Sequence, residues 1–141
     1  MTLEEFGRFI QTKSVGRIEA PVNEQLTERV YTAMKHIARN TTVLKYTITD
    51  NHLDYEIMER KDEHTWTRFP VKPIIDSGDE LDIDDFLLDA LALYVMAGLE
   101  MQRSKVLMGM YWEEIDANNA RLTSTYLQEA TNDAERFYIF P

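Results

Sequence analysis

The sequence predicts a mainly helical α+β fold: a helical bundle with a long C-terminal antiparallel helical hairpin and a small antiparallel β insertion. Three observations lead there. Apolar residues recur at helical spacing from Asn23 to Arg39 and again from Ile83 to Leu127. Between Val43 and Phe69 the period drops to two. The last two helical runs are separated only by Gln102-Arg103-Ser104, a connection short enough to force an antiparallel return.

Thr2-Leu3-Glu4-Glu5 is a capping box, with Glu5 three residues after Thr2, and Leu3, Phe6 and Ile10 then share a face. A helix of about ten residues is marginal alone, so it must dock on this domain or on a partner. Thr12 to Pro21 has no period and reads as an extended arm. The next helix carries Leu26, Val30, Met34, Ile37 and Ala38 inward, and Asn40-Thr41-Thr42 ends it.

Leu44, Tyr46 and Ile48 alternate along one strand, and Leu53, Tyr55 and Ile57 along the next, with Asp50-Asn51-His52 as the turn. A third run, Thr65 to Phe69, follows the charged tip Arg60-Lys61-Asp62-Glu63-His64. The expectation is a three-stranded antiparallel meander that stops at Pro70 and Pro73, after which Val71, Ile74 and Ile75 lead the chain back to the core.

Asp82, Asp84 and Asp85 are placed at the start of the next helix, where its dipole favours carboxylates. That helix has no charge from Ala90 to Leu99 and is apolar all round, with Leu88, Leu91, Ala92, Tyr94, Val95 and Leu99 on its two sides. One small domain has difficulty enclosing such a helix, so these six residues are expected to pack against a neighbouring subunit. Ser104 is expected to cap the last helix, with stripe Leu107, Tyr111, Ile115, Asn118, Leu122 and Tyr126, running to about Ala130 and leaving at Asn132-Asp133. The organisation is then an arm at 1–22, a helical domain at 23–132 with its β insertion at about 43–75, and an apolar tail at 133–141. Four large apolar residues in the tail should dock, on the chain's own groove or on a partner, the partner being favoured.

Composition narrows the function. A net charge of −10 argues against a nucleic-acid clamp or membrane-surface binder, which need a basic face. Seven acids and no Lys or Arg lie between Asp76 and Asp89. The absence of cysteine removes disulfides, thiolate nucleophiles and the commonest zinc ligands. The N-terminus has acids where an export signal needs basic residues. The acid run lacks the alternating ligands, central Gly and terminal Glu of an EF-hand loop. His36, His52 and His64 have no metal-ligand spacing, and no GxSxG, P-loop or GxGxxG occurs. Trp66, Trp112, Met96, Met101, Met108 and Met110 read as packing residues rather than a ligand pocket. Gly98 and Gly109 either permit close helix approach or mark a bend. A noncatalytic protein without metal or cofactor is expected.

The run DIDDFLLDALALYVMAGLEMQRS followed by MGMYWEEIDANNARL resembles the C-terminal hairpin of tailed-bacteriophage head-to-tail connector proteins, also called adaptor or head-completion proteins. The shared pattern is an acidic entry, an Ala- and Leu-rich helix with a central Tyr, a break, and a helix with Tyr followed by acids and amides. The preceding helix, β insertion and return strand also fit, so the likeness spans roughly residues 23 to 130; Thr2 to Pro21 match nothing. The resemblance implies a noncatalytic virion protein, present in the host cytoplasm before assembly. It would form a ring, usually of about twelve copies, under the portal, prolong the DNA channel without sequence-specific binding, and present a surface to a tail or nozzle protein. It also implies that Arg136, Phe137, Tyr138, Ile139 and Phe140 reach the portal. The tip Arg60, Lys61, Asp62, Glu63 and His64 would then make axial or neighbour contacts. A small acidic DNA mimic that inhibits a nucleic-acid-binding protein is the alternative, and a metal-dependent enzyme using the acid cluster a weaker third.

Overall fold

Reciprocal bonds at the N-terminus start the first helix: the Glu5 amide donates to Thr2 Oγ1 at 3.2 Å, and the Thr2 amide to Glu5 Oε1 at 3.1 Å. This α1 spans Leu3–Lys13 and buries Leu3, Phe6 and Ile10. The computed structural model describes residues 1–49 and 55–139, with side chains through 122. Asn23 caps α2, Glu24–Asn40, by accepting from the Leu26 amide at 2.9 Å. Three short strands follow, β1 (Thr47–Ile48), β2 (Ile57–Arg60) and β3 (Trp66–Arg68), and then α3 (Leu88–Leu99) and α4 (Ser104–Ile139). The fold is mainly helical α+β, as the periodicities predict.

The strands are antiparallel but ordered β1-β3-β2, which corrects the expected meander. Alternation fixes which residues share a face and leaves open which strands are neighbours. The first strand is also shorter than expected. Leu44–Tyr46 form a 3₁₀ turn, because the Asp84 carboxylate takes the Leu44 and Lys45 amides at 2.6 and 3.0 Å. Tyr46 is therefore fully buried while Leu44 is exposed. The Asp50-Asn51-His52 turn and Leu53 lie outside the described residues.

Val71 and Ile74 do not return to the core; both are exposed, and only Ile75 packs against it. Polar anchors hold this strap instead: the Val71 amide on Asp82, an ion pair between Lys72 and Glu28, and the Asp76 amide on Glu4.

Asp82 and Asp84 precede α3 rather than sitting in its first turn, which begins after a 3₁₀ turn at Asp85–Leu87. The chain's own α1, α2 and α4 all contact α3, burying Ala90, Leu91, Ala92, Leu93, Val95, Met96 and Ala97. The expectation that α3 needs a second subunit is thus corrected. It underrated α1, which docks on α3 within the same chain, and the Met1 amine, which pairs with Glu80 beside the Leu81 amide bond to Met1. Of the six predicted packing residues, Leu91, Ala92 and Val95 are closed off, and Leu88, Tyr94 and Leu99 are half-buried.

Ser104 is already helical, preceded by a 3₁₀ turn at Met101–Arg103, so it does not cap α4. The hairpin is antiparallel: Phe86, ahead of α3, meets Arg121 midway along α4, while Tyr94 meets Tyr111 nearer its start. Leu107, Tyr111, Ile115 and Asn118 face inward as predicted. Asn118 and Asn119 also tie α4 to the end of α2 through Thr41, with bonds of 2.8 and 2.6 Å. The backbone of α4 continues through Asn132-Asp133 to Ile139 instead of leaving the helix there. Asn and Asp each cost only up to about 0.7 kcal/mol in a helix, and Ala134, Glu135 and Arg136 favour it again.

Candidate functional site

Two structural features organise the surfaces available to a partner: the anchored β insertion and the groove where α2, α3 and α4 meet.

In the insertion, β3 brings Arg68 against Asp82. The guanidinium donates to both carboxylate oxygens, at 2.6 and 2.9 Å, and also to the Lys45 and Phe69 carbonyls. Its face lies over Tyr46 and Tyr55. Burial alone would raise the Asp82 pKa, but the Arg68 and Val71 hydrogen bonds outweigh it and hold the carboxyl below its usual range. The Asp82 bond in turn raises Arg68. Asp84 is itself buried on the Leu44 and Lys45 amides. Two of the seven acids in the Asp76–Asp89 run are therefore internal fasteners, joining the sheet to the entry of α3, rather than parts of a solvated face.

At the far end of the insertion the predicted tip is exposed and tightly turned. The Lys61 amide bonds Thr65 at 2.9 Å and the His64 amide bonds Asp62 Oδ1 at 2.9 Å, the latter bond lowering the Asp62 pKa. Arg60 donates to the Asp62 carbonyl and lies over Trp66, and Lys61 pairs with Glu59. The fasteners at the base and these bonds at the tip present Arg60 to His64 as a shaped, charged knob.

The groove encloses about 400 Å³ and is lined by Arg29, Thr32, Tyr94, Gly98, Ser104 and Met108 among others. Gly98 leaves room here for the end of the Arg29 side chain: a Cβ would stand 2.8 Å from Arg29 Nη1, which donates to the Gly98 carbonyl at 3.1 Å. Beside it, His36 Nδ1 and the buried Tyr111 hydroxyl lie 2.7 Å apart, with Tyr94 and Trp112 rings 4.6 and 5.6 Å from the imidazole. Burial, then the nearby Arg39, depresses the His36 pKa, and burial raises that of Tyr111. Burial thus favours the neutral imidazole, which sits among aromatic rings. Among the described residues no group of three or more His, Asp or Glu could hold a metal ion, and no helix is long and apolar enough to cross a membrane.

Met96 is buried and Met108 packs on the core, as expected of packing residues, while Met101, Met110 and Trp112 face outward. Gly109 meets nothing within 4 Å, so its close approach, unlike that of Gly98, is not used inside the chain. Arg136 to Ile139 continue the α4 backbone, with their side chains and Phe140 outside the described residues. Sequence reasoning missed the Arg68–Asp82 and His36–Tyr111 pairs. The clue for the first was a lone Arg in an otherwise uncharged Thr65–Phe69 run. No protein family, curated protein or solved structure matches the chain.

Proposed function

We propose that the chain is a structural protein of a tailed-phage virion, a head-to-tail connector that assembles as a ring of about twelve copies beneath the portal and prolongs the DNA channel. The observation that supports this reading most is the reach of α4. The 12 residues of α3 extend about 18 Å, whereas the 36 of α4 extend about 54 Å. The outer part of α4 therefore has no α3 to lie along, and its backbone runs on to Ile139, beyond the reach of α3. The order of helix, fastened β insertion, strap and hairpin adds support.

In this reading the body of the domain is rigid and contact is made at its extremities. Arg136, Phe137, Tyr138, Ile139 and Phe140 engage the portal. Arg60 to His64 contact a neighbour or the tail protein. The ring meets laterally through surface residues and the half-buried edges of Leu88, Tyr94 and Leu99, since Leu91, Ala92 and Val95 are occupied by their own chain. The remaining exposed acids repel phosphate and limit sticking of the passing DNA. Removing 133–141 tests the docking step: the shortened chain should lose from its circular dichroism only the helical end of α4, keep its melting curve and lose portal binding. A truncated chain that binds the portal as the full chain does would remove the tail from the mechanism.

A further inference from the structure

We infer that the outward face of α4 is a self-association surface, on which two copies of the chain pair antiparallel about a two-fold axis at Gly109. With Leu107, Tyr111, Ile115 and Asn118 turned inward, the opposite face carries Lys105, Val106, Gly109, Glu113, Ala117 and Ala120, all exposed. Val106 is 58% exposed, and the flanking Met110 and Trp112 are 42% and 39% exposed. The face also carries the exposed Asp116, and at the crossing point itself the small residue is Gly109.

Gly109 singles out the crossing point. Glycine inside a helix destabilises it relative to alanine, and a Cβ at this position would meet nothing within 4 Å. The fold of one chain thus gives no reason for the residue, whereas Gly98 has one in Arg29. A second backbone approaching at Gly109 supplies the reason.

Charge commits the occupant to a second copy in one orientation. Lys105 lies four residues before Gly109 and Glu113 four residues after it. Helices that cross antiparallel at Gly109 set each residue before it against its counterpart after it on the other chain. Lys105 then faces Glu113 of the partner subunit, Glu113 faces Lys105 of the partner subunit, and Val106 faces Trp112 of the partner subunit. A parallel pair would set Lys105 against Lys105 and Glu113 against Glu113, which repel. Among the described residues neither Lys105 nor Glu113 has an ion-pair partner in its own chain. Such a pair closes on itself, so the inference is independent of the ring and describes the free chain.

The absence of cysteine makes the test direct. In the full chain, Gly109→Cys should give a covalent dimer under mild oxidation, while the exposed α1 variant Arg8→Cys should stay monomeric. By sedimentation equilibrium the native chain should dimerise, Lys105→Glu should weaken this about tenfold, as expected for losing two exposed ion pairs to repulsion, and adding Glu113→Lys should restore it. Circular dichroism reports whether each variant is folded. A native chain that stays monomeric, cross-linking of Gly109→Cys no greater than that of Arg8→Cys, or a folded charge-swapped variant that fails to recover would each overturn the inference.

Discussion

Arg68 on the central strand grips Asp82 ahead of α3 through two hydrogen bonds, and both side chains are largely withdrawn from water, 9% and 17% exposed. Removing one partner strands the other charge. Asp82→Asn should therefore destabilise the fold by about 3 kcal/mol, measured as a lower urea midpoint at neutral pH. The same pair sets an acid limit. Because the Asp82 pKa is lower folded than unfolded, its contribution is full above the ordinary carboxylate range and is lost as pH falls through the folded value. Asp82→Asn should flatten that part of the acid-unfolding curve; an unaltered curve would assign acid sensitivity to other carboxyls.

Two glycines with the same nominal clash should respond differently. At Gly7 an added Cβ would stand 2.8 Å from the Ala20 carbonyl oxygen, which is backbone and cannot easily move. Gly7→Ala should cost about 1 to 3 kcal/mol through overpacking. At Gly98 the obstacle is the end of the Arg29 side chain. The helix gains about 1 kcal/mol from alanine and loses an Arg29 hydrogen bond of similar size, so Gly98→Ala should be close to neutral. In an Arg29→Ala background the clash is gone, and Gly98→Ala should stabilise by about 1 kcal/mol. Equal effects in both backgrounds would mean that the two residues are not coupled.

His36 gives the fold a second pH dependence. Its pKa is depressed in the folded chain, so the unfolded chain takes up the proton first and stability falls as pH drops below the ordinary histidine value of about 6.5. His36→Leu should reduce the difference in unfolding midpoint between pH 7.5 and pH 5.5. Tyr111→Phe removes the hydroxyl 2.7 Å from Nδ1 and should cost about 1 kcal/mol at the higher pH.

What could be read from the sequence was local. The buried stripe of α2, from Leu26 to Ile37, repeats at the helix period, and the Thr2–Glu5 box closes within one turn. The misread parts depend on distant partners. Asp84 binds the Leu44 amide 40 positions away, which turns a predicted strand into a 3₁₀ turn and converts a predicted helix-start acid into a fastener. Part of the cover for α3 comes from α1, which no periodicity joins to it. The expected exit at Asn132-Asp133 assigned too much weight to two weak helix formers. Of the candidate surfaces, the charged tip Arg60 to His64 was visible inside an unbroken polar stretch from Glu59 to Thr65. The Arg29–Gly98 groove was not, because it is assembled from three helices.

The central claim is that many copies of this chain form a ring on a portal. Electron microscopy of the full chain with and without a candidate tailed-phage portal tests this most directly. The account predicts a closed ring sharing the portal's axis, absent when 133–141 are removed. A chain that leaves the portal bare, stays small at all concentrations and instead displaces DNA from a basic protein in a salt-dependent way would contradict it and favour the acidic inhibitor.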